Sequence, residues 1–126
     1  MLFISPPFGN YVNLPYSTSI RGSFTLEPRK GLLSQIFKTL RYSKEWNGWV
    51  NKIGLRNPGL DYAIKKYYKM ATDSETNIIS IAILSKEEIP IIKNKLPDDM
   101  NIEINVSCPN TEKGMVDKGI HVFLNE

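Results

Sequence analysis

Cysteine and histidine are nearly absent from this 126-residue chain, which has one of each, Cys108 and His121. A single thiol excludes an internal disulfide, and one thiol with one imidazole argues against the Cys/His zinc centres that staple small folds. Long apolar runs are missing as well. The longest, Ile78 to Leu84, is broken by Ser80 and falls far short of the roughly 20 residues that span a bilayer. The amino terminus, Met-Leu-Phe-Ile-Ser-Pro-Pro, has no basic stretch ahead of an apolar core, so it does not read as a secretory leader. Excess charge is small: 16 Lys+Arg against 13 Asp+Glu leave +3. The cations are scattered, and the densest run, Lys65 to Lys69, fits the wet side of a helix. Neither nucleic acid nor a membrane is therefore expected as a partner. A cytoplasmic location is the expectation these absences leave.

What remains is ordinary globular composition, 41% hydrophobic and 23% charged, without repeats or low-complexity linkers. A single domain, 1–126, is expected at this length. Leu2 to Ile4 reads as a short strand stopped by Pro6-Pro7, and the turn-rich stretch from Phe8 to Pro15 as a loop. Ser17 to Leu26 is rich in β-branched and aromatic residues and reads as a strand. Leu32, Leu33, Ile36, Phe37 and Leu40 recur at helical spacing after Gly31. Tyr42 to Trp49 fits either a hairpin or a short helix. A second amphipathic helix starts at Leu60, after the Asn57-Pro58-Gly59 turn.

Asn77 to Leu84 is the clearest strand, apolar enough to be buried on both faces. Ser85-Lys86-Glu87-Glu88 has the form of a capping box for a helix running to about Leu96. Met100 to Val106 then alternates as the next strand. Strand, helix and strand within about 30 residues make one βαβ unit, whose strands run parallel. In such architectures the chemistry gathers where the loops leave the strand carboxyl ends.

Two polar clusters fall at such places. Asn105-Val106-Ser107-Cys108-Pro109-Asn110 ends the last strand. Its thiol can act as base or nucleophile if part of it ionises at neutral pH, or it can be a small buried hydrophobe. Asn51-Lys52-Ile53-Gly54-Leu55-Arg56-Asn57-Pro58-Gly59 places planar amides around a glycine that admits close backbone approach. Such amides suit a planar heterocycle with alternating N–H and C=O groups, and they equally suit a turn without a ligand.

Taken together, these strings resemble a known family. Asn-Val-Ser-Cys-Pro-Asn is similar to the signature of the dihydroorotate dehydrogenases, and Asn51 to Asp61 is similar to their substrate-loop motif. Gly22 to Gly31 resembles their Lys-(Ser/Ala)-x-Thr-Leu-Glu-Pro-Arg-x-Gly segment. All three occur in the family's order. The resemblance implies an α/β fold of the (β/α)8 TIM-barrel type and a flavoprotein that oxidises dihydroorotate to orotate in pyrimidine synthesis. FMN is the implied cofactor, and Cys108 the implied catalytic base. Asn51, Asn105 and Asn110 fall at substrate-holding positions, with the backbone of Ile53, Gly54 and Leu55 lining the same pocket. Gly22, Ser23, Asn51 and Asn105 fall at flavin-side positions. Cysteine rather than serine as the base resembles the soluble class of the family.

The sequence also departs from the family pattern. Its flavin-side lysine falls at Gly22, with Arg21 one residue earlier and facing the other way on a strand. Too few residues lie between Gly9 and the second strand for the family's first helix, and Ile83 stands where a polar residue or glycine is usual. A barrel of this kind needs about 250 residues, so about four parallel strands, half a barrel, are expected here. Either the chain is a fragment, or a homo-oligomer forms, or a second chain completes the barrel. The alternative reading is a degenerate half-barrel that binds or assembles without doing chemistry.

Overall fold

The computed structural model describes residues 2–72 and 77–105. Four short strands form one parallel sheet in the order β1-β2-β5-β6: β1 (Leu2–Ile4), β2 (Ser17–Phe24), β5 (Asn77–Ile81) and β6 (Ile102–Ile104). Helices α1 (Leu32–Thr39), α2 (Leu60–Thr72) and α3 (Glu88–Lys95) lie between them in sequence. The open question at Tyr42 to Trp49 resolves as an antiparallel hairpin of β3 (Arg41–Ser43) and β4 (Gly48–Val50). Asn47 makes the turn with a left-handed backbone, φ 44°, which asparagine tolerates better than most residues. Tyr42 and Trp49 are direct cross-strand partners and meet edge to face, with centroids 5.8 Å apart.

The core follows from two periodicities. Leu60, Ala63, Tyr67 and Ala71 recur along one stripe of α2, and Ile79 and Ile81 alternate along β5 toward it. Phe24, Leu26, Ile92 and Met100 complete the cluster. Both α2 and α3 contribute to it, whereas α1 has no fully buried residue and leaves Leu33 and Phe37 largely in solvent.

No helix joins β1 to β2. A single 3-10 turn at Phe8–Asn10 is followed by a return segment that hydrogen-bonds along β2 itself. The Asn10 side-chain amide donates to Gly22 O at 2.9 Å and accepts from Gly22 N at 2.8 Å. Farther back, the Ser19 hydroxyl donates to Val12 O and the Ser17 hydroxyl to Leu14 O. Gly9 wedges between the two strands, and a Cβ there would lie 2.1 Å from Ile20 O and 2.4 Å from Ile4 O.

The expected strand ends shift inward. β5 stops at Ile81 rather than Leu84, and β6 spans three residues rather than the seven from Met100 to Val106. The capping box at Ser85 does not form as expected. The Glu88 amide donates to the main-chain carbonyl of Ser85, and the Glu88 carboxylate accepts from the amide of Leu84, one residue too early. The Ser85 hydroxyl serves Glu87 instead. Together with Glu87's own backbone amide, which has the larger effect, it holds that carboxyl below its ordinary range. This contribution is present above the ordinary carboxylate pKa and is lost as pH falls through the lowered one.

Candidate functional site

The register between β2 and β5 slips once, and that slip builds the site. Ser19, Ile20 and Arg21 face Asn77, Ile78 and Ile79 in turn, but Ile81 then faces Phe24. One extra residue is accommodated around Gly22 and Ser23, as in a β-bulge. Gly22 has φ +132°, and a Cβ on it would sit 2.5 Å from Ser80 O. Beyond the bulge the pleat has changed phase. Phe24 joins the helix-side core, packing 6.1 Å from the Tyr67 ring, while Ser23 turns toward Ser80.

Ser80 lies between Ile79 and Ile81 on β5 and so projects from the face away from α2. On that face the hydroxyls of Ser23 and Ser80 are 2.9 Å apart. Ser80 donates to the Glu103 carboxylate at 2.9 Å, and the Asn105 amide donates to Ser23 at 2.6 Å. β2, β5 and β6 are thereby joined near their carboxyl ends by one chain of hydroxyl, amide and carboxylate groups. Both serines are buried, and buried hydroxyls hold their place only when paired.

Arg21 belongs to the opposite face, as alternation requires. Its guanidinium lies 5.4 Å from the Tyr67 centroid and bonds Asn77 Oδ1, Asn10 O and Asn13 Oδ1. This buried cation ties the return segment to the start of β5, and it does not reach the Ser23–Asn105 cluster.

The second cluster is organised by Asn57 rather than Asn51. The Asn57 amide oxygen accepts from Thr25 N at 3.1 Å and Gly59 N at 2.9 Å, and its nitrogen donates to Thr25 Oγ1 and Leu55 O. Main-chain bonds between Asn57 and Arg29 fasten the loop to the segment after β2. Asn51 is exposed and bonds the amide of Ile53 in its own loop. The motif's spacing gave no sign of this division, because both asparagines flank the same turn. Asn57→Ala is expected to lower stability by about 2 kcal/mol, since it strands buried amides. Asn51→Ala is expected to stay within about 0.5 kcal/mol of the parent. Urea unfolding of the two variants measures the contrast.

The sequence-predicted residues thus divide. Gly22, Ser23 and Asn105 meet near the strand ends, while Asn51, Ile53, Gly54 and Leu55 lie on the loop that follows β4. Cys108 and Asn110 lie outside the described residues. Among the described residues no group of three His, Cys, Asp or Glu side chains is placed to hold a metal, and no helix is long and apolar enough to cross a membrane. Ser80 and Glu103 were not anticipated. Their signal is faint, a serine within an apolar strand and a glutamate within an alternating one.

Comparison with known proteins matches residues 8–122 to the family model described as dihydroorotate dehydrogenase. Three similar proteins carry the name dihydroorotate dehydrogenase B (NAD(+)), catalytic subunit. That of Desulforamulus reducens is 36% identical over 94 residues, covering 71% of this chain and 29% of the relative. That of Alkaliphilus metalliredigens is 34% identical over 124 residues, covering 94% and 39%. That of Thermoanaerobacter pseudethanolicus is 40% identical over 77 residues, covering 59% and 26%. The chain therefore spans well under half the length of these relatives. No solved structure matches it.

Proposed function

Because this chain belongs to the dihydroorotate dehydrogenase family, we propose that it forms the dihydroorotate-side half of an FMN site and takes part in oxidising dihydroorotate to orotate. The observation that carries this reading is the 2.6 Å bond from Asn105 to Ser23. It brings two of the family-matched segments together at one end of a parallel sheet, where α/β proteins hold their ligands.

The groups present fit a flavin ring in part. Ser23 and Asn105 offer a hydroxyl and an amide to a planar edge of alternating donors and acceptors. Gly22 leaves the rim without a side chain and without the family's lysine. FMN, when bound, supplies the acceptor for the hydride that leaves the substrate. The remaining roles belong to this chain. Asn51, Asn105 and Asn110 orient the pyrimidine ring and its carboxylate, and the backbone of Ile53, Gly54 and Leu55 closes over the ring. Cys108 takes the proton from C5 as thiolate. A thiol near its ordinary pKa of about 8.5 has only a small thiolate fraction at neutral pH, so this role requires surroundings that stabilise the anion.

Orotate tests the substrate half of this reading. It should raise the melting temperature of the parent protein and fail to raise that of Asn51→Ala, whose unliganded melting temperature stays at the parental value. No orotate shift in the parent contradicts the reading. The backbone at Gly22, closed to any side chain, favours the second reading, a degenerate half-barrel without turnover. A parent that binds orotate yet shows no turnover when FMN and an electron acceptor are supplied supports that alternative.

A further inference from the structure

Behind the sheet, on the α2 side, lies a groove of about 510 Å³ whose charged lining is entirely cationic: Arg29, Lys30, Arg56 and Lys66. These four come from three separate stretches of sequence, which is why no basic run announces them. Among the described residues none of the four forms an ion pair; the one salt bridge is Lys95 with Asp61. Among the described residues Arg29 Nε is buried without a hydrogen-bond partner, although the main chain of Arg29 is fully engaged with Asn57. A guanidinium donor buried without an acceptor is rare in folded proteins, and it leaves Arg29 a cation that no group among these residues neutralises. Arg56 is already oriented, with Nε donating to Ile53 O and Nη1 to Lys30 O. Lys66 donates to Tyr62 Oη at 2.8 Å and lies 5.2 Å from the ring centroids of both Tyr62 and Tyr67.

We propose that this groove binds a phosphate monoester of nucleotide size, its phosphate held by Arg29, Arg56 and Lys66 and its ring laid against Tyr11 and Tyr62. A phosphate monoester carries close to two charges at neutral pH, and three acceptor oxygens suit forked guanidinium donors. The volume is that of a small-molecule pocket, and the exposed tyrosines supply aromatic faces at its mouth. Hydrogen bonds with Tyr62, and then Tyr67, hold the Lys66 ammonium above its ordinary pKa, so it remains a cation across the neutral range. The Ser23–Asn105 cluster faces the other side of the sheet, although Gly22 and the loop carrying Arg56 border both places.

Calorimetric titration with AMP, adenosine, inorganic phosphate and succinate at low ionic strength tests it. The expected result is saturable AMP binding, competition by phosphate, and no binding of adenosine. Arg29→Gln and Lys66→Gln should each weaken AMP by about tenfold or more, while the exposed, distant Lys86→Gln leaves it unchanged. If Arg29→Gln fails to fold, Lys66→Gln decides, because that side chain lies on the helix surface. The proposal is overturned if AMP does not bind, if adenosine binds equally well, if succinate binds more tightly, or if Lys66→Gln binds AMP as the parent does. Asn51→Ala keeps its AMP affinity whichever way the orotate experiment falls.

Discussion

Gly22→Lys is expected to destabilise the protein by about 3 kcal/mol rather than to install a cation beside a flavin. The substitution restores the residue that the family carries in this segment, so a family consensus would recommend it. Two features of the backbone oppose it. Gly22 has φ +132°, a conformation L side chains rarely adopt, and a Cβ would lie 2.5 Å from the carbonyl oxygen of Ser80 and 3.1 Å from the amide nitrogen of Phe24. Neither neighbour can yield cheaply, because both are main-chain atoms in the central strand pair. Relief would require undoing the bulge. That would turn Phe24 out of the core and Ser23 away from Ser80 and Asn105. A loss of this size is a large share of the 5–15 kcal/mol typical of a domain. The urea midpoint of Gly22→Lys should therefore fall well below the parental value, and an unchanged midpoint would show that the bulge is not rigid.

Cys108→Ala is the companion result on the chemistry. If Cys108 is the base, its removal should lower dihydroorotate turnover by about 10²- to 10⁴-fold, the usual worth of a positioned proton acceptor. Orotate binding should persist, because the asparagines and the loop backbone remain. Cys108→Ser separates the thiolate from simple bulk. A hydroxyl has the shape but not the acidity, so turnover should return only at higher pH, if at all. Normal turnover by Cys108→Ala, measured with FMN and an acceptor present, would remove the thiol from the mechanism.

Much of the architecture was legible because it rests on long-range periodicity. The α2 stripe and the apolar strand from Asn77 both announce themselves, and the packing of Leu60, Ala63 and Tyr67 on Ile79 and Ile81 follows from them. Features governed by single backbone events were not legible. The bulge at Gly22 reverses which residues face the core, and alternation alone assigns Phe24 to the wrong side. The division of labour between Asn57 and Asn51 depends on the Arg29 bridge, a contact between distant segments. The capping box at Ser85 missed because the Glu88 carboxylate reaches Leu84 rather than Ser85. The cationic groove escaped notice for the same reason as the bridge: its members converge only in space.

The central question is whether this chain builds a flavin site. Purified protein mixed with FMN and freed of excess by gel filtration gives the answer in its visible absorption spectrum. A flavin band that travels with the protein and changes shape when orotate is added is the expected result. Flavin that elutes entirely free, with no spectral response to orotate, would contradict it.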